Sequence, residues 1–337
     1  MIRAHYELEP AGAAKELARI ESTGVATGPE RVRARVVAEA DGVAVVEFPE
    51  ANSGGDVALL VSSLVAGEWA DSAAFSRCRL VGVEWPEGLL PGPAFDAPPR
   101  VLVGAIVKPS LGLSAAEVAD TAAALARGGA DLVKDDELLG DPDWCPLEER
   151  VRRVVAAIPP ETVYAPNVTG PPARLLARAA RVVELGARAV MVNAFAVGLA
   201  ALRELREAEL GVPLFAHRAG AALWTRDADF AVAGPVVAEL TRLCGADFVQ
   251  VGSFTGKVFD REEDVRAQVE SCRRPLGVRR SVAVLGGGVG PANAAEQVER
   301  SGARGGLLVL VGSAGYADPG GPEAGVRAAV EAVAAWR

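Results

Sequence analysis

Residues 101–137 read VLVGAIVKPSLGLSAAEVADTAAALARGGADLVKDDE, one complete strand–helix–strand unit. Val101–Val107 is a continuous apolar run of strand length. Ala115–Ala126 then places apolar side chains at helical spacing, and Gly128-Gly129 stops it. Leu132–Asp136 is a second strand, and its end carries Lys134, Asp135, Asp136 and Glu137. Apolar strands joined by a helix read as parallel neighbours buried on both faces. Catalytic side chains of such folds collect at the strand C-termini, so this charged end is the first candidate site.

The same alternation continues to the C-terminus. Further strand candidates are Val163–Asn167, Ala189–Asn193, Pro213–His217, Phe248–Gly252, Ser281–Leu285 and Leu307–Val311. Helical segments include Leu147–Ala157, Ala173–Leu185 and Ala324–Trp336. Eight strand–helix units in about 240 residues fit a (β/α)₈ TIM barrel. A doubly wound open sheet is the alternative, but no Gly-rich dinucleotide turn follows the first strand. Upstream, Ile2–Leu8, Ala11–Ile20, Val32–Ala40, Val43–Phe48, Val57–Ala66 and Cys78–Glu84 give β-α-β-β-α-β, with Asp41-Gly42 as a hairpin turn. That order predicts a small ferredoxin-like α+β domain. Pro86–Pro99 reads as a linker. The expected domains are 1–98 and 99–337.

Composition removes several functions. Net charge is −9 without a basic stretch, which argues against nucleic acid and anionic membranes. No apolar run reaches the ~18 residues of a membrane span. Met1-Ile-Arg-Ala-His lacks a signal-peptide core, so a cytoplasmic protein is the expectation. Cys78, Cys145, Cys244 and Cys272 have no C-x-x-C spacing, and with 2 histidines a multi-histidine metal site is excluded. Of the 35 basic residues only Lys15, Lys108, Lys134 and Lys257 are lysines. Lysine can lose its proton and act as base, nucleophile or carbamate, whereas arginine stays charged. Lys108, Lys134 and Lys257 all fall at predicted strand ends of the barrel, and His217 ends the fifth strand.

Alternate side chains of a strand share a face, so Lys134 and Asp136 point the same way, and Glu137 can turn in beside them. Two carboxylates and an amine make a metal site once CO₂ converts the amine to a carbamate, an anionic oxygen donor. Mg²⁺ takes oxygen ligands in octahedral geometry and keeps waters for substrate to displace. A salt-bridged acidic strand end is the alternative reading.

Val107-Lys-Pro-Ser-Leu-Gly-Leu113 and Gly128-Gly-Ala-Asp-Leu-Val-Lys-Asp-Asp-Glu137 resemble the two signature segments of the RuBisCO superfamily. Asn167-Val-Thr-Gly170, His217-Arg218-Ala219, Gly252-Ser-Phe-Thr-Gly-Lys257, Gly286-Gly287 and Gly312-Ser313 follow in the family's order. The resemblance implies that carbamylated Lys134, with Asp136 and Glu137, would hold Mg²⁺. Lys108 would be a base near the enediolate, His217 an acid/base or polar partner, and Lys257 would close over the substrate. Arg218 would hold one phosphate, and Gly286, Gly287, Gly312 and Ser313 another through N–H donors. It also implies a homodimer, with Glu21 near its partner's site.

Departures point to a non-carboxylating, RuBisCO-like member. The carboxylases carry K-P-K where this chain has Lys108-Pro-Ser110. Gln250 aligns with their strand-6 histidine, Leu285 with a serine, Gly67 with a catalytic asparagine and Val25 with a threonine. Leu285 and Val25 are expected to make the pocket more apolar. The expected activity is Mg²⁺-dependent enolisation of a phosphorylated ketose-like or diketo substrate, giving isomerisation, tautomerisation or decarboxylation. The alternatives are a carboxylase and a non-catalytic binding or regulatory protein.

Overall fold

The computed structural model describes residues 1–257 and 260–336. The first segment runs β1 (Ile2–Glu9), α1 (Ala14–Ile20), β2 (Arg35–Ala40), β3 (Val43–Phe48), α2 (Val57–Leu60) and β4 (Arg77–Glu84). The second begins with β5 (Val101–Ile106), α3 (Ala115–Arg127), β6 (Leu132–Lys134), α4 (Leu147–Ala157), β7 (Val163–Ala165), α5 (Pro172–Glu184) and β8 (Val190–Asn193). It continues with α6 (Ala194–Val197), α7 (Leu199–Glu207), β9 (Leu214–His217), α8 (Ala222–Thr225), β10 (Phe230–Val232), α9 (Gly234–Leu243), β11 (Phe248–Gly252) and α10 (Glu262–Arg273). It closes with β12 (Val282–Gly286), α11 (Ala294–Ser301), β13 (Leu307–Val311) and α12 (Gly321–Ala335).

Eight parallel strands follow the order β7-β6-β5-β13-β12-β11-β9-β8, and one bridge, Asn167–Met191, joins the two ends. This is a TIM-like barrel. Its interior is an apolar plug that includes Leu102, Ile106, Leu132, Met191, Phe215, Val284, Leu308 and Leu310. Period-two alternation then assigns every other barrel residue its face. Helices pack outside because their apolar stripes face the sheet. In α3 the buried residues are Ala115, Val118, Ala119, Ala122, Leu125 and Ala126, and Ser114 with Glu117 caps the start reciprocally.

The smaller sheet has the ferredoxin order β4-β1-β3-β2, antiparallel throughout, as the sequence predicts. It has a fifth strand that the sequence reading left out. β10, from the barrel half of the chain, pairs parallel with β4 through Phe230–Cys78, Ala231–Arg79 and Val232–Leu80. At three residues, without a turn of its own class before it, β10 carries no alternation to read. Among the described residues no helix is long and apolar enough to cross a membrane.

Candidate active site at the barrel mouth

Each interior row of the barrel continues, two residues further on, into a polar side chain at the open end. Ile106 is followed by Lys108, Leu132 by Lys134, Ala165 by Asn167, Met191 by Asn193, Phe215 by His217 and Phe248 by Gln250. The alternation that fills the plug therefore builds the mouth.

Lys134 has no solvent exposure. Its Nζ donates to the Asp135 carbonyl at 2.7 Å and lies 4.0 Å from Glu137 Oε2. Burial lowers its pKa to about 8, against the opposing pull of Glu137, Asp136 and Asp135. Lys108 Nζ donates to Asp136 Oδ2 at 2.5 Å and to Ser110 Oγ at 2.9 Å. Burial by itself would raise Asp136. The Lys108 hydrogen bond, the Leu138 amide and the lysine charges more than offset it and hold the carboxyl below its usual range. Tyr316 OH accepts from the Lys108 amide and donates to the Ile106 carbonyl, both at 2.9 Å, which fixes the backbone beneath Lys108.

His217 Nδ1 accepts the Ala219 N–H at 3.2 Å. Neutral imidazole carries one proton, so this assigns it to Nε2, which faces Glu137 Oε2 at 3.3 Å. Burial, then Lys134, Arg218 and Lys108, depress His217 well below the ordinary histidine value, so the ring is neutral. Lys108–Asp136 and Lys134–Glu137–His217 thus form two contact groups, coupled through their charges.

Asp135 takes no part in it. Strand alternation turns it outward, where it accepts from Arg150 Nε at 3.1 Å, Tyr164 OH at 2.7 Å and Asn167 N at 3.0 Å. The acidic run is therefore divided: Arg150 balances Asp135 behind the strand, and Lys108 balances Asp136 in front. The Asn167 amide donates to the carbonyls of Asp136, Glu137 and Leu139 and posts this loop in place. Arg150, Tyr164 and Tyr316 escaped the sequence reading. All three are brought in from distant segments, and only a contact map would have shown them.

The other assigned residues are distributed as follows. Arg218 is held by Asp260, Nη2 to Oδ1 at 2.8 Å and Nη1 to Oδ2 at 3.1 Å. Lys257 is exposed and uses its backbone N–H on the Gly287 carbonyl. Gly286 ends β12, and Ser313 is exposed at the start of a 3₁₀ turn. Gly312 was expected to offer its N–H to phosphate, but donates it to the Val289 carbonyl at 3.0 Å. The glycine turns also serve packing: a Cβ on Gly256 would lie 2.4 Å from the Gly287 carbonyl oxygen.

The expectation for Leu285 changes, and the surroundings of Glu21 and Gly67 are set by packing in the smaller domain. Leu285 is fully buried among the apolar residues of the helix layer, one register step away from the pocket face held by Val284 and Gly286, so it adds no apolar surface there. Within its own chain, Glu21 shares no hydrogen bond or ion pair with the mouth residues among the described residues. It is buried in the smaller domain, where Oε1 accepts the Trp69 amide at 2.6 Å. Gly67 has no room for a side chain, since its Cβ would lie 2.3 Å from Glu21 Oε2.

Among the described residues no group of three or more His, Cys, Asp and Glu side chains could hold a metal. Two mouth carboxylates alone are short of a third anionic donor. Lys134 lies 4.0 Å from Glu137, and burial lowers its amine pKa to about 8, which leaves a neutral fraction able to attack CO₂. Carbamylation would supply the missing oxygen ligand, and in that form the donor set would fit Mg²⁺.

Residues 93–337 match the family described as ribulose bisphosphate carboxylase large chain, catalytic domain. Ribulose bisphosphate carboxylase-like protein 2 of Rhodopseudomonas palustris is 31% identical over 314 residues, 86% of this chain and 72% of that protein. The 3-oxo-isoapionate-4-phosphate decarboxylase of Rhizobium etli is 29% identical over 350 residues, covering 97% and 83% of the two chains. The solved octameric ribulose-1,5-bisphosphate carboxylase/oxygenase of Pyrococcus horikoshii superposes with a TM-score of 0.90 at 27% identity, covering 99% of this chain and 88% of that one. Three carboxylase-like relatives are spanned over 72%, 57% and 60% of their own length.

Proposed function

The chain belongs to the ribulose bisphosphate carboxylase large-chain family, and on that premise we propose that it is an enzyme that enolises a phosphorylated ketose-like or diketo substrate at the barrel mouth. The observation that carries this reading is the pair of contact groups Lys108–Asp136 and Lys134–Glu137–His217, at 2.5, 4.0 and 3.3 Å. It combines a base candidate, two carboxylates beside a buried lysine and a neutral N–H donor at one end of the barrel.

Lys108 takes the α-proton and returns it to the neighbouring carbon, its position set by Asp136, Ser110 and Tyr316. His217 presents Nε2–H to a substrate oxygen while Glu137 orients the ring. Lys134 as carbamate, Asp136 and Glu137 would hold Mg²⁺, which when bound would supply Lewis-acid polarisation of a carbonyl. The turn Gly286-Gly287 and Ser313 take a phosphate through N–H and O–H donors. A 3-oxo acid in the same place loses CO₂, leaving the electron pair on the α-carbon, to which the Lys108 ammonium gives a proton that water then replaces. The name of the Rhizobium etli relative favours this second outcome. Carboxylation of a bisphosphate is disfavoured because Ser110 and Gln250 stand where carboxylases carry a lysine and a histidine. A homodimer in which the partner's smaller domain covers the mouth completes the proposal.

Calorimetric titration of Mg²⁺ with and without bicarbonate, on wild type and Lys134→Ala, is the test. Bicarbonate is expected to tighten Mg²⁺ binding in wild type only. α-Proton exchange in D₂O and CO₂ release, scored across ketose phosphates and 3-oxo acid phosphates, then separate the two outcomes. If bicarbonate has no effect and no compound exchanges, enolisation is wrong and a binding or regulatory role replaces it.

A further inference from the structure

Arg218 lies beside His217 at the end of β9, and Asp260 follows the loop after β11. Their side chains meet fork to fork at 2.8 and 3.1 Å, and both are largely withdrawn from solvent, 15% and 13% exposed. Solvent and salt screen such a pair little. The bidentate geometry that an arginine offers a carboxylate is the one it offers a phosphate, so the two acceptors compete for the same N–H groups. The pair is also closely seated. Gly252, at φ +103°, closes β11 beneath it, and a Cβ there would lie 2.6 Å from both Arg218 Nη1 and Asp260 Oδ2. The surroundings are mixed in charge: Arg261 is spent on Glu263 and Asp264, Arg266 and Arg300 on Glu262, and the cavity beside Asp260 is lined by Arg77 and Arg79 as well as by Asp264. What withholds Arg218 from a dianion is therefore its own pairing with Asp260.

We propose that Asp260 is a specificity-determining residue: it occupies the Arg218 subsite and restricts the barrel mouth to substrates carrying a single phosphate, bound at the ends of β12 and β13 by the Gly286-Gly287 turn and Ser313. The end of the substrate that faces Arg218 and Asp260 is then uncharged, a hydroxyl or carbonyl terminus. The inference rests on reading the mouth as a site for phosphorylated substrates, and it extends that reading by fixing the number of phosphates. Nothing in it depends on Mg²⁺ or on turnover.

The test compares ribulose 5-phosphate with ribulose 1,5-bisphosphate by calorimetry without metal. The proteins are wild type, Asp260→Asn, Asp260→Ser and the double variant Asp260→Asn/Arg218→Gln, each checked by thermal denaturation. Wild type is expected to bind the two sugars within about threefold of each other, since Asp260 already holds the Arg218 fork. Asp260→Asn and Asp260→Ser tighten the bisphosphate by at least about tenfold, the scale of one freed charge-assisted contact, and leave the monophosphate unchanged. Adding Arg218→Gln abolishes the gain. A wild type that prefers the bisphosphate tenfold, two folded Asp260 variants with an unchanged ratio, or absence of binding by every form would each overturn the proposal. Loss of proton exchange with the ratio shift intact sinks enolisation alone, whereas exchange without the shift sinks this inference alone.

Discussion

Arg150 and Asp135 face each other with no solvent exposure at either side chain, 3.1 Å apart. Removing one member of such a pair leaves a buried charge without its counter-ion, which costs more than the pair contributes. Arg150→Met is therefore expected to lower unfolding stability by about 3–5 kcal/mol, read from urea denaturation. It also loosens the loop that ends in Glu137, because Arg150 donates to the Cys145 and Gly140 carbonyls as well. Glu21 gives a pH dependence. Burial raises its carboxyl from 4.5 to about 7; the Trp69 amide opposes this and Glu68 adds to it. The folded chain thus holds this proton more tightly than the unfolded chain does. Its contribution is fully present below the unfolded value and is lost as pH rises through about 7. Melting temperatures of wild type should fall relative to Glu21→Gln between about pH 5 and about pH 8, and parallel curves would contradict this assignment.

At the scale of elements, the junction strand β10 is the most exposed to test. It joins β4 through the Cys78 amide on the Asp229 carbonyl and the Ala233 amide on the Leu80 carbonyl, both 2.8 Å. Ala233 has φ −61° and ψ 140°, backbone that proline adopts without strain. Ala233→Pro deletes that single N–H donor and should cost about 1 kcal/mol in urea denaturation, with the barrel mouth unaffected. A loss several times larger would mean that β10 organises more than this one hydrogen bond. Elements with their own periodicity were readable from sequence: Leu147–Ala157 was placed to the residue, and the Asp41-Gly42 hairpin falls between β2 and β3. β10 was not readable, because only its partner, about 150 residues earlier in the chain, makes it a strand.

For the whole molecule, the fold was legible because eight apolar strand–helix units leave few architectures open. Lys134, Asp136, Glu137, Lys108 and His217 were legible as candidates because the same alternation that fills the plug delivers them to one end. What the chain did not disclose is pairing across distance. Asp260 on Arg218, Arg150 on Asp135 and Tyr316 under Lys108 lie 42, 15 and 208 residues apart, and no local spacing encodes such contacts. Leu285 failed for a different reason: a one-residue error of register carries a side chain through the sheet.

The chain order of the smaller sheet has a consequence for synthesis. β4 leaves the ribosome long before β10, its neighbour, has been translated. At roughly 5–20 residues per second the outer edge of β4 waits about 8–30 s for a partner that belongs to the other half of the protein. During that interval a nascent chain carries an unsatisfied strand edge of the kind that recruits other chains. The N-terminal sheet is therefore the first to begin and among the last to be finished, and a ribosome stalled between residues 84 and 230 would hold it open to chaperones.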